Sequence, residues 1–178
     1  MTTIMEALRL EHANMARLLE VLERQLGAGE AADFELIKSI ADYLTTYPDQ
    51  FHHPKEDLVY RSLLEAEPDS GAALDDLEAE HVELAERTKE FAFAVARILR
   101  GREAPGRWFE ELGRGFIAYY RQHMAKEETG FFLEAERVLG PETFGELESR
   151  VTDAADPLFD LRAAERLAQL RSSVAALD

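Results

Sequence analysis

The chain predicts an all-α fold, an up-down-up-down four-helix bundle with a short C-terminal helical extension. Three features carry that expectation. Apolar residues recur at three-and-four spacing over four long stretches, Gly or Pro marks each connection, and no stretch alternates with the period of two that a half-buried strand requires. Ile4, Leu8, Met15, Leu19, Leu22 and Leu26 form the first stripe, which stops at Gly27 and Gly29 and carries His12 within it. Residues 34–66 continue the spacing through Ile37, Ile40, Leu44, Val59 and Leu63. Pro48 and Pro54 interrupt that second stretch and predict a kink or break, because proline lacks an N–H and its ring clashes with the preceding turn.

The third stripe runs Leu74, Leu77, His81, Leu84, Thr88, Phe91, Val95, Ile98, with Ser70 as its candidate cap. After Gly101 and Pro105, the fourth places Phe109, Leu112, Phe116, Tyr120, His123, Glu127 and Phe131 on one face and stops near Gly140. The bundle is expected over residues 1–138. Residues 139–178 are expected as a helical tail packing on it, with a start at Pro141, a break at Asp156–Pro157 and a last helix through Leu161, Leu167, Leu170 and Val174.

Composition narrows the function. A length of 178 residues with 46% hydrophobic content supports one buried core rather than two independent domains. Thirty-six acids against twenty bases leave a formal charge of −16, which repels phosphate backbones and anionic lipid, so neither nucleic acid nor membrane is an expected partner. No segment reaches 18 apolar residues and the start, MTTIMEALRLEH, lacks the basic flank of a signal peptide, so a cytoplasmic location is expected. Without cysteine there is no disulfide, thiolate zinc site or iron–sulfur cluster. Any metal falls to His and carboxylate.

The chain also repeats itself. Glu11-His12 is followed by His52-x-x-Lys55-Glu56, and Glu80-His81 by His123-x-x-Lys126-Glu127, with closely similar separations in the two halves. Residues four apart on a helix share a side, so His52 with Glu56, and His123 with Glu127, can each chelate one ion. His12 and His81 add one imidazole each, and four nitrogens with two carboxylates suit a pair of divalent metals that the carboxylates can bridge. A histidine in an apolar stripe is commonly just a hydrogen-bonded core residue. Two glutamates in the same stripes are harder to explain that way, because a buried carboxylate costs several kcal/mol unless paired or metal-bound. Lys55 and Lys126 point away from the inner face and read as surface residues. Tyr47, Tyr119 and Tyr120 are candidates to line a pocket, and Ser172 and Ser173 have no histidine partner that would make a hydrolase triad.

A ferritin-like di-iron bundle needs two Glu-x-x-His motifs, and only Glu78-x-x-His81 fits. The FHHPKED and HMAKEE stretches, in their order, spacing and helix count, instead resemble the hemerythrin-like (HHE cation-binding) family over residues 1 to about 135. That resemblance implies a non-heme di-iron centre, with one iron on His12 and His52, the other on His81 and His123, and Glu56 and Glu127 bridging them beside an oxo or hydroxo group. Other divalent metals remain open. It implies binding of, or reaction with, a small ligand such as dioxygen, nitric oxide or hydrogen peroxide, and the protein partner is unknown. The alternatives are a metal-sensing or iron-buffering module without turnover, and a metal-free interaction bundle. Oxygen-carrying members have a fifth ligand histidine four residues from the position of His81, where this chain has Leu77 and Ala85. His53, Glu11, Glu80 or a tyrosine are candidates for the missing ligand. His53 lies about 100° from His52 on a regular helix and reads as a residue behind the ligands or at the rim unless Pro54 redirects it.

Overall fold

The computed structural model describes residues 3–72, 77–151 and 168–175 and is all-helical over them, with no strand among the described residues. Helix α1 spans Ile4–Leu26, α2 Phe34–Tyr47, α3 His53–Ala66, α4 Leu77–Leu99, α5 Arg107–Lys126, α6 Phe132–Val138, α7 Pro141–Arg150 and α8 Ala168–Ala175. Five-residue π-helical turns, Pro48–His52 and Glu127–Phe131, join α2 to α3 and α5 to α6. The long helical segments are therefore four: α1, α2–α3, α4 and α5–α6. No helix among the described residues is long and apolar enough to cross a membrane.

The helix ends follow local chemistry. Thr3 caps α1 in a reciprocal box: the Glu6 N–H donates to its Oγ1 at 3.2 Å, and the Thr3 N–H donates to Glu6 Oε2 at 2.8 Å. Asp33 caps α2 by accepting the Leu36 N–H at 3.0 Å. At the end of α4, Gly101 takes φ +66°, and the Arg102 N–H reaches back to the Arg97 carbonyl at 3.0 Å, closing a Schellman turn that a side chain at position 101 would strain. Pro54 explains the first π-helical turn. It has no N–H for the carbonyl four residues back, and the His53 N–H bonds instead to the Pro48 carbonyl five residues back.

Burial is arranged in three layers. Met15, Leu18, Leu22, Ile40, Leu44, Phe91 and Phe116 belong to one apolar cluster, and Leu8, Val59, Leu63, Leu77, Phe131 and Phe132 to a second. A belt of buried polar side chains, including His12, Glu56, His81 and Glu127, falls between them in sequence on every long segment. Each fully buried Leu or Phe in the two clusters contributes roughly 1.5–3 kcal/mol, and these apolar layers stabilise a fold whose middle layer is costly. Helices α1 and α5 approach closely at Gly113, where a Cβ would stand 2.5 Å from Leu26 Cδ1.

Among the described residues, the C-terminal segment contacts the rest through α7 and through α8. Leu147 of α7 is buried in the second cluster and Glu148 accepts the Ile4 N–H at 3.1 Å, while Val174 of α8 joins the first cluster. Asp156–Pro157, Leu161 and Leu167 lie outside the described residues. Leu74 does too, and the Ser70 hydroxyl, read above as a cap for the third helix, donates to Glu134 at 3.1 Å.

Candidate metal centre

The middle layer gathers all six side chains singled out by the repeat. Glu56 lies at its centre, fully buried, with Oε1 3.3 Å from Nε2 of both His12 and His52 and Oε2 3.4 Å from Nε2 of His81. Glu127 is arranged in the opposite sense, with Oε2 3.3 Å from His12 Nε2 and Oε1 3.3 and 3.1 Å from Nε2 of His81 and His123. Each carboxylate thus offers one oxygen to each pair of imidazoles. Neighbouring ligands at about 2.1 Å from a divalent cation stand roughly 3 Å apart, close to the separations found here.

The donor atoms also lack alternatives. His12 Nε2, both oxygens of Glu56, His123 Nε2 and Glu127 Oε2 are buried without a hydrogen-bond partner. Orphaned polar atoms at this depth are rare and costly, and five of them converging on one region fit cations that would satisfy them together. Among the described residues, two groups bring ligand atoms within 4.8 Å of one another: His12, His52 and Glu56, and His53, Glu56, His81 and His123.

An outer shell of acids fixes the rings. Nδ1 of His52 faces Glu11 at 2.8 Å, that of His12 faces Glu128 at 3.0 Å, that of His81 faces Asp57 at 3.0 Å, and that of His123 faces Glu80 at 3.2 Å. A carboxylate at Nδ1 keeps one ring proton there, so that Nε2 is the nitrogen left to meet a cation that displaces the other proton. Glu11 is held in turn by the Tyr47 hydroxyl at 3.0 Å and by Lys55, and Glu80 by Lys126 at 2.6 Å. This outer shell obeys the same repeat as the inner one. The acid before the first histidine of each half binds the second histidine of that half, the lysine before each central Glu binds that acid, and the acid after each central Glu binds the first histidine of the other half.

The centre is electrostatically strained toward positive charge. Burial opposes protonation of His12, but Glu127 and Glu56 outweigh it and raise its pKa to about 10; for His81, Asp57, Glu127 and Glu56 overcome burial and raise it to about 11. His52 is raised as well, against full burial, by Glu56 and Glu11. Burial would raise Glu56, yet the facing imidazoles hold it well below the usual carboxylate range, and Glu127 is lowered despite both burial and the charge of Glu56. Cations at these positions would take over the neutralising role of the imidazole protons.

One sequence-based expectation changes and another is narrowed. Lys55 is not a surface residue: it is only 8% exposed and ends on Glu11. Lys126 does remain near solvent. His53 is 6% exposed, its ring stacked on His81 at 4.2 Å between centroids, so of the two places expected for it, at the rim or behind the ligands, it takes the buried one. The widened turn before it explains this, since more residues per turn mean a smaller angular step between neighbours, so both His52 and His53 reach the buried side. Tyr47 acts through Glu11, Tyr120 donates to Met15 Sδ at 3.1 Å, and Tyr119 lies under Arg87 at 4.4 Å. Glu11 and Glu80, candidates above for the missing ligand, face Nδ1 of His52 and His123, and the ring-holding role of all four acids, Glu11, Glu80, Asp57 and Glu128, was not anticipated, although the shared spacing of the two halves marks them.

The sequence model of the Hemerythrin HHE cation binding domain matches residues 3–135. No curated protein and no solved structure matches the chain. With more than half of its length matched, the chain belongs to the hemerythrin HHE cation-binding family.

Proposed function

We propose that this family member holds two cations per chain, iron in the first place, on His12 and His52 for one and His81 and His123 for the other, with Glu56 and Glu127 spanning both, and that it binds or reacts with dioxygen, nitric oxide or hydrogen peroxide. Within the same reading the four long segments form an up-down-up-down bundle over residues 1–138, residues 139–178 form the tail, and the chain works in the cytoplasm. The convergence of five buried, unpartnered donor atoms carries it. An iron pair supplies one-electron redox changes and coordination positions for a small ligand.

The chain's own groups have definable parts. Glu11, Glu128, Asp57 and Glu80 keep the Nδ1 protons of the four rings and so direct Nε2 inward. Phe132, stacked on His12 at 5.2 Å, closes the layer from the second apolar cluster and excludes water. Exclusion of water favours a small apolar ligand over bulk solvent.

The test is to load metal-depleted protein with ferrous iron under nitrogen, measure iron by elemental analysis, and record the visible spectrum before and after air, nitric oxide or peroxide. Two irons per chain, ligand-dependent absorption, and loss of both in His52→Ala and Glu127→Ala are expected. Iron well below two per chain refutes the reading. Full loading with no response to any of the three ligands moves the function to iron buffering.

A further inference from the structure

Helix α4 carries a stripe of side chains that the bundle leaves uncovered. Val82 and Phe93 on it are 62% and 64% exposed. Their separation in sequence is close to three full turns, so they share one outward face and stand about 16 Å apart along the axis. Single exposed apolar side chains are ordinary on a protein surface. These two, however, bracket a pair of exposed charges on the same face, Glu86 and Lys89, and among the described residues neither of those side chains has an ion-pair partner.

We infer that this face is a homodimer interface, in which two copies of the chain pack α4 against α4 antiparallel, about a two-fold axis at the level of Arg87 and Thr88. In that register Val82 meets Phe93 of the partner subunit and Glu86 meets Lys89 of the partner subunit, and the symmetry makes each contact twice. The order apolar, acid, base, apolar is its own complement only when the second helix runs backwards. Parallel pairing in register sets Glu86 against Glu86 of the partner subunit and Lys89 against Lys89 of the partner subunit, and like charges in contact destabilise. The same antiparallel register brings Glu78 opposite Arg97 of the partner subunit. Those two are already paired within their own chain, to Arg61 at 2.6 Å and to Glu103 at 3.0 Å, so the outer pair adds little.

The apolar contacts supply the affinity, and the charges select orientation and register. The net charge of −16 on each chain opposes association, but at physiological ionic strength it is screened beyond about 8 Å and the local contacts decide. One pair of helices makes an interface at the small end of specific ones, below about 1,200 Å², so the dimer dissociates on dilution. The interface also bears on the buried centre. Val82 lines a cleft of about 350 Å³ together with His81 and Ala85, and His81 is the most exposed of the five histidines. Phe93 of the partner subunit packs against Val82, so dimerisation covers the side on which His81 meets solvent.

Sedimentation velocity of the full chain, from micromolar to near-millimolar concentration, reads the assembly. Wild type is expected to pass from monomer to dimer as concentration rises. Phe93→Asp, Glu86→Lys and Lys89→Glu are each expected to weaken the dimer about 10-fold or more, because each change enters the contact twice. Glu86→Lys combined with Lys89→Glu is expected to restore it, since the exchanged charges again meet their opposites. The chain has no cysteine, so Val82→Cys combined with Phe93→Cys gives a second reading of the register. Mild oxidation is expected to link that variant into a covalent dimer and to leave Val82→Cys alone unlinked, its two copies standing about 16 Å apart along the axis. A wild type that stays monomeric at every concentration overturns the inference and leaves the stripe to a different partner. A dimer indifferent to Phe93→Asp and to both single charge changes overturns it by placing the interface elsewhere. Failure of the double exchange to restore the dimer, or linking of Val82→Cys alone, overturns the antiparallel register.

Discussion

Glu11→Gln separates a hydrogen-bonded scaffold from a mere buried acid. Glu11 Oε1 accepts from the Tyr47 hydroxyl at 3.0 Å and from Lys55, while Oε2 lies 2.8 Å from His52 Nδ1. Glutamine has the same shape with one acceptor and one NH2 group. Two donors already point at the Oε1 position, so the carbonyl oxygen must stay there and the NH2 must face His52. It then donates to Nδ1, which forces the ring proton onto Nε2, the atom meant for the cation. Loss of such an orienting partner costs about 10- to 100-fold in metal affinity, or about 1.4–2.7 kcal/mol. Removing the charge opposite the buried Lys55 adds a separate cost to folding, up to about 3–5 kcal/mol for a fully buried pair. Metal affinity is read by competition with a chelator and stability by guanidinium unfolding of the metal-depleted protein. Glu11→Gln combined with Lys55→Met recovers stability but not affinity. Affinity within twofold of wild type in Glu11→Gln refutes the tautomer argument.

Removing metal from loaded protein lowers its unfolding free energy, by about 2.7 kcal/mol for a site held at a hundred times its dissociation constant, measured by calorimetry with and without a chelator; an unchanged melting temperature refutes cation binding to the native fold. The metal-depleted protein becomes less stable as pH rises from about 6.5 toward 10. The folded pKa values of His12 and His81 are raised to about 10 and 11, so their contribution is complete below the ordinary histidine pKa and disappears as the folded groups titrate; denaturant midpoints across that window test the sign. Gly101→Ala forces φ +66° on a residue with a Cβ and costs roughly 1–2 kcal/mol, read as a lower unfolding midpoint with no change in metal content.

Much of the centre is a matter of helical phase. His52 and Glu56, like His123 and Glu127, are four apart on helical stretches and must share a side whatever surrounds them. His12 and His81 fall within apolar stripes that had to be buried, and the paired segments EH and HxxKE mark both halves. The end of α1 at Gly27 and the capping role of Asp33 follow from local chemistry of the same kind. Cross-helix pairing has no such phase. The repeat marks Asp57 and Glu128 as equivalent positions but not which ring each one meets, because the contacts of Asp57 with His81 and of Glu128 with His12 join residues 24 and 116 positions apart and depend on how the helices settle against one another.

Lys55 and His53 show the difference most directly. Their places on a regular helix put them outside the centre, and a surface lysine is the usual state of that residue. The turn at Pro48–His52 brings both inward, where α3 buries Lys55 against Glu11 of α1 and His53 against His81 of α4. The sequence by itself determined the helices, their apolar stripes and the six inward-facing donors, since each depends on spacing within one segment. The tertiary structure decided which oxygen faces which ring, which acid holds which proton and where His53 points, since each depends on atoms brought together from different segments.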